Sequence, residues 1–109
     1  MRRRPALSVL VLSGLLLAPA AARAAERSAL WKANCEKCHG ADGAAQTDEG
    51  KMKGARDLTN GKWQKTISDT RMIRSITKGR DKMPAFGAVL TPEQIQDLVK
   101  EVRTLPAAK

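Results

Sequence analysis

The stretch Cys35-Glu36-Lys37-Cys38-His39 constrains this chain more than any other. On a helical turn, positions i, i+3 and i+4 share one face, so both thiols and the imidazole come to the same side. C-x-x-C-H is the signature of covalent haem attachment. Each sulfur can form a thioether to one haem vinyl group, and the histidine that follows directs its imidazole at the iron. With the haem edge held covalently, the iron–histidine bond is not easily lost. His39 is the sole histidine of the chain, so no other residue can supply a second imidazole.

Two other chemistries use such residues. A C-x-x-C pair can be a redox dithiol of the thioredoxin kind, but that motif sits in an α/β fold, and no strand pattern occurs here. Zinc needs four ligands, and Cys35, Cys38 and His39 make three with no further Cys or His. Covalent haem c, one group, is the reading that remains.

The N-terminus has the build of a secretory signal peptide. Arg2, Arg3 and Arg4 precede an apolar run, Ala6 to Ala18. Pro19 and a small-residue tail follow, with Ala22-x-Ala24 as the expected cleavage site. Residues 1–24 are therefore expected to be removed, leaving 25–109 as one domain outside the cytoplasm, in the periplasm. The apolar run is shorter than the ~20 residues of a membrane span, and no cysteine near the cleavage site offers a lipid anchor. Of the 20 Lys and Arg, four (Arg2, Arg3, Arg4, Arg23) fall in this leader, and 16 remain against 11 Asp and Glu, a net charge of +5. That balance suits an acidic protein partner. Nucleic acid is not expected, since no dense basic run follows the leader and only three aromatic residues are present.

A domain this short buries little apolar surface and commonly relies on a disulfide, metal or cofactor. Cys35 and Cys38 are too close in sequence to staple distant segments, which again points to a cofactor as part of the core. Three segments read as helices, and the class is all-α. The first spans about Ser28 to Cys38, with Ala29, Leu30 and Ala33 as a weak apolar stripe and Gly40 at its end. The second spans Asp69 to Lys78 between Ser68 and Gly79, with Met72, Ile73 and Ile76 on one face. The third starts at Thr91-Pro92-Glu93-Gln94, a capping box with proline at the first helical position. Ile95, Leu98, Val99, Val102 and Leu105 recur along it at the spacing of a half-buried helix. Gly40–Asn60 and Arg80–Leu90 read as loops.

A haem iron has a second axial position, and its occupant decides between carrier and catalyst. Met1 leaves with the leader, Met72 falls on the apolar face of a helix, and Met52 lies in the polar run Lys51-Met52-Lys53-Gly54. Met83 stands in Lys82-Met83-Pro84-Ala85-Phe86, a segment stiffened by proline and distant enough to close over the second haem face. Met83 is the expected second ligand. Iron held by His39 and Met83 has no open position, so the expectation is an electron-transfer protein and not an enzyme. A haem sensor or weak peroxidase with an open sixth site is the alternative, and requires Met83 to be off the iron.

These residues resemble the class I c-type cytochromes, especially small bacterial monohaem ones. The resemblance rests on Leu30-Trp31 before Cys35-x-x-Cys38-His39-Gly40, on Asp42-Gly43, and on Gly79 leading to Lys82-Met83-Pro84-Ala85-Phe86. Leu90-Thr91-Pro92-Glu93-Gln94-Ile95 and Val102-Arg103-Thr104-Leu105 complete it. It implies a small helical shell around one haem, with N- and C-terminal helices crossing. It also implies a role shuttling single electrons between redox proteins, as a free monomer or as a haem subunit of an oxidase, reductase or dehydrogenase. Two positions depart from the family's pattern. Glu101 stands where the family often has an aromatic residue, so the helix crossing is expected to rest on Trp31 and aliphatic contacts. The family also often has a proline before the leucine matched by Leu58, with a carbonyl that orients the ligand histidine. Here Gly54-Ala55-Arg56-Asp57-Leu58 leaves the acceptor unassigned. Lys37, Lys78, Arg80 and Lys82 flank these segments and could form a basic rim, diluted by Glu36, Asp42 and Asp81. Trp63 could donate its indole N–H to a haem propionate or pack against the haem, and packing is the expectation.

Overall fold

The computed structural model describes residues 26–108 and, before them, Arg2, Ala6, Ser13 and Gly14. The rest of the expected leader, and its cleavage site, lie outside the described residues. The described chain forms six α-helices: α1 (Ala29–Asn34), α2 (Glu36–His39), α3 (Asp48–Lys53), α4 (Gly61–Thr66), α5 (Asp69–Lys78) and α6 (Pro92–Thr104). A 3-10 turn, Leu105–Ala108, closes it. Apart from one bridge between Arg80 and Met83, no β pairing occurs among the described residues. None of their helices is long and apolar enough to cross a membrane.

Side-chain caps set the helix starts. Ser28, Thr47, Asn60, Ser68 and Thr91 each accept from the main-chain N–H three residues on, satisfying one of the donors a helix N-terminus leaves open. At Thr91 the reciprocal bond from its N–H to Gln94 Oε1, 2.9 Å, completes the capping box. α5 and α6 occupy the expected residues. The first expected helix is instead two: α1 stops at Asn34, Cys35 forms the junction, and α2 runs on to His39. Its buried residue is Trp31, while Ala29 and Ala33 are exposed. Gly40–Asn60 is not wholly a loop, since α3 forms within it, and α4 is a further helix that the apolar periodicity does not signal. Both are six-residue helices, fixed by caps and contacts more than by an amphipathic stripe, because isolated helices so short are marginal in water.

The core joins Trp31 of α1, Leu58, Met72 and Ile76 of α5, and Ile95, Leu98, Val99, Val102 and Leu105 of the C-terminal segment. Leu98 and Leu105 are 1% and 0% exposed, and each contributes about 1.5–3 kcal/mol by leaving water. α1 packs against α6, and α5 against α6, so the two ends of the domain meet. A buried polar tie supplements this core. Gln64 of α4 donates from Nε2 to the carbonyls of Leu58 and Val102, each at 2.9 Å.

Candidate functional site

Cys35, Cys38, His39 and Met83 line one cavity of about 390 Å3, together with apolar side chains that include Leu58, Trp63, Ile76 and Leu98. Each arrives by a different local device. Cys35 is the break between α1 and α2, and its carbonyl accepts from His39 N at 2.9 Å. That bond carries Cys38 and His39 round one turn onto a common side. Behind them, Trp31 donates from Nε1 to Gly40 O at 3.0 Å. Its ring lies 6.2 Å from the imidazole, tilted by 45°.

From outside, α3 braces the attachment turn. Thr47 Oγ1 donates to Lys37 O at 2.7 Å, with Cys38 O at 3.1 Å, and accepts from Gly50 N at 2.9 Å. A Cβ on Gly50 would fall 2.0 Å from Cys38 O, so only glycine lets α3 lie this close to the motif's backbone.

The electrostatics suit neutral donors. Burial, assisted by the charge of Glu101, pushes the Cys35 thiol up to about 12. The site therefore favours an uncharged sulfur, which a thioether is and a thiolate ligand is not. Burial likewise pushes the His39 imidazole below its ordinary range, partly offset by its bond to Arg56 O. His39 Nδ1 lies 3.0 Å from that carbonyl. A carbonyl only accepts, so Nδ1 carries the proton and Nε2 keeps its lone pair. Arg56 O is thus the acceptor the sequence left unassigned. Its guanidinium sits over the Trp63 ring, 5.2 Å from the centroid, a cation–π contact that steadies the same segment.

Met83 reaches the cavity from the segment after α5. Met52, by contrast, is 71% exposed and lines no part of the cavity, and Met72 is a buried core residue that also reaches the cavity wall. Trp63 lines the wall too. Of the expected basic rim, Lys37, Arg80 and Lys82 border the cavity, whereas Lys78 does not. Lys53 and Arg56 join them, with Asp81 as the one acid. An apolar chamber holding two thiols, a neutral imidazole and a thioether matches a covalently attached haem. It does not match a metal cluster, since no group of three or more His, Cys, Asp or Glu able to hold an ion exists among the described residues.

Comparison with known proteins agrees with this chemistry. Residues 22–100 match the family described as cytochrome C oxidase, cbb3-type, subunit III. The chain is 36% identical over 88 residues to the cbb3-type cytochrome c oxidase subunit FixP of Azorhizobium caulinodans, covering 80% of this chain and 28% of that protein. It is 34% identical over 76 residues to cytochrome c6 of Gloeothece citriformis, covering 69% of this chain and 64% of that one. Among solved structures, the KustC0563 c-type cytochrome is similar at 40% identity and a TM-score of 0.66, over 70% of this chain and 92% of its own. The chain thus spans little more than a quarter of FixP and just under two thirds of that cytochrome c6.

Proposed function

The chain belongs to the c-type cytochromes, electron carriers with covalently bound haem c, and from that premise we propose that it passes single electrons between redox proteins of the periplasm through one His/Met-ligated haem. In this reading Cys35 and Cys38 would hold the haem as thioethers, and His39, through Nε2, and Met83 would ligate its iron. The observation that carries it is the shared cavity: four donors from two distant segments line one apolar chamber.

When bound, the haem supplies a reversible one-electron iron couple. The chain's own residues set the conditions for it. Arg56 O accepts the Nδ1 proton of His39, fixing the tautomer and making Nε2 a better donor. As an iron ligand the Met83 thioether would be soft, favouring ferrous iron and raising the potential. An iron held by both His39 and Met83 would leave substrate no place on it, which favours a carrier over an enzyme. Leu58, Trp63, Ile76 and Leu98 give the chamber an apolar wall, which would lower the dielectric around a haem packed against it.

Lys37, Lys53, Arg56, Arg80 and Lys82 around the mouth would steer the cavity edge toward an acidic docking patch on the donor or acceptor. Such a carrier would work free or as part of a larger oxidase, FixP being by name an oxidase subunit.

The test is the visible spectrum of protein taken from periplasm. Sharp c-type bands, with a weak far-red sulfur-to-iron band in the ferric form that Met83→Ala abolishes, would support the carrier. Haem bands without that feature, plus carbon monoxide binding in the ferrous form, would turn the reading to a sensor or peroxidase. A protein that takes up no haem where the attachment machinery is present would end it.

A further inference from the structure

The Met83 segment is closed on itself as a turn and tied to the end of helix α5 by its last residues. Arg80 N donates to Met83 O at 3.1 Å and Met83 N to Arg80 O at 2.8 Å, closing a two-residue turn over Asp81 and Lys82. The chain then doubles back over the C-terminal turn of α5. Gly79 N donates to Ser75 O at 2.9 Å, Phe86 N to Ile76 O at 2.9 Å and Gly87 N to Thr77 O at 3.0 Å. The first of these is the helix's own closing bond, and the other two cap successive carbonyls that a helix end leaves open with the same segment that carries Met83. α5 itself is fixed, because Met72 and Ile76 are buried in the core.

This docking works only where two residues have no side chain. Gly79 sits at φ +74, and a Cβ there would lie 2.7 Å from Met83 O, 2.9 Å from Ala85 N and 3.0 Å from Pro84 C. All three are backbone atoms of the returning strand, which cannot swing aside as a side-chain tip does. A Cβ on Gly87 would lie 2.9 Å from both Thr77 O and Thr77 Cγ2. Either methyl would wedge the segment off the helix end.

We propose that Gly79 and Gly87 are positioning residues for Met83, two steric windows that seat its segment on the end of α5 and so hold the thioether at the iron. The inference rests on Met83 being the axial ligand. Removing either window shifts the population from a closed, sulfur-ligated form toward an open one.

The test uses holoprotein made with the haem-attachment machinery, as parent, Met83→Ala, Gly79→Ala, Gly87→Ala and Gly43→Ala. Gly43 is the control for general damage. It sits at φ +77, close to Gly79, but its Cβ would meet the Leu105 side chain at 2.6 Å and not the Met83 segment. Gly87 covers a Gly79 variant that fails to fold, since it has no left-handed φ to strain. The ferric sulfur-to-iron band and the rate of carbon monoxide binding to ferrous protein are read. Gly79→Ala and Gly87→Ala are expected to take up haem, lose most of the band, and bind carbon monoxide about tenfold faster than the parent as the open form becomes dominant. Gly43→Ala keeps the band, at lower stability. Parental band and rate in both loop variants would overturn the proposal while leaving Met83 as ligand. So would equal loss in Gly43→Ala, or failure of both loop variants to take up haem. A parent without the band, or Met83→Ala with it intact, would remove the ligand reading and this one with it.

Discussion

Glu101 and Ser28 join the two ends of the domain: the Glu101 carboxylate accepts from Ser28 N at 2.9 Å and from Ser28 Oγ at 2.5 Å. Ser28 Oγ in turn accepts from Trp31 N at 3.1 Å, so one residue of α6 completes the N-cap of α1. Where the family often packs an aromatic ring, this chain uses a carboxylate.

Glu101→Ala is therefore expected to cost about 1 kcal/mol, the usual value of an N-cap interaction. The loss should read as a lower midpoint in denaturant unfolding of the holoprotein. A double-mutant cycle with Ser28→Ala should show that the two losses are not additive. Additive losses would mean the contact carries no energy of its own.

Arg103 and Gln64 form the second tie. Arg103 donates to Gln64 O at 2.5 Å, Gln64 Oε1 at 3.0 Å, Ile67 O at 2.7 Å and Asp69 Oδ1 at 2.8 Å. Arg103→Ala is expected to cost about 2–3 kcal/mol, because it strands the carbonyls of Gln64 and Ile67, for which no other donor is seen among the described residues. Asp69→Asn should cost under about 0.5 kcal/mol, since that side chain is 65% exposed and the pair is screened. Equal losses in the two variants would place the energy in the ion pair and refute the carbonyl argument.

These ties mark where sequence reading stopped. α5 and α6 were legible because cap, apolar period and end signal agree over ten and thirteen residues. α3 and α4 were not, because in six-residue helices the period has no room to repeat. Their only signals were Thr47 and Asn60 in capping positions and Gly54 after the last turn of α3. Cys35, Cys38, His39 and Met83 could be singled out because the proposed chemistry needs those side chains, and the structure brings all four to one cavity. Arg56 was not, because the group it offers His39 is a backbone carbonyl, which any residue carries. Gln64 was hidden for a related reason, being a polar residue buried at 8% exposure to serve two carbonyls.

The methionines separate by what they touch. Met52→Leu should leave both spectrum and stability at the parental values. Met72→Ala, at a position 4% exposed, should cost about 2–5 kcal/mol of stability yet retain the sulfur-to-iron band. Met83→Leu should lose the band with a small change in helicity. Ferric spectra and thermal melts of the three variants decide it, and a lost band in Met72→Ala with a kept one in Met83→Leu would reverse the assignment.

Glu49 and Lys53 pair at 2.9 Å across one turn of α3. The hydrogen bond and charge of Lys53 hold the Glu49 carboxyl below its ordinary range. A lowered folded-state value means that the pair's contribution is present above the ordinary carboxylate range and is lost as pH falls through the lowered one. An NMR titration should place the Glu49 midpoint below that of a free glutamate, and Lys53→Met should return it. The pair is exposed, so the same variant should leave the thermal midpoint nearly unchanged. An unshifted Glu49 in the parent would show that the pair does not persist in solution.

Without its cofactor the chain should not hold this fold. Trp31, Leu58, Ile76, Leu98 and Val102 face the cavity as well as one another, so the core is built around a space that protein atoms do not fill. Open to water, that apolar wall forfeits much of the burial a core depends on. Net stability of an ordinary domain is only about 5–15 kcal/mol, and a domain this short stands at the low end of that range. Cofactor binding and folding are then one event. A Cys35→Ala/Cys38→Ala protein prepared without haem is expected to show little helical circular dichroism and no cooperative melt. Native helicity with a sharp transition in that apoprotein would mean the helical shell closes on its own, and that α5, α6 and the Arg103 tie outweigh the missing core.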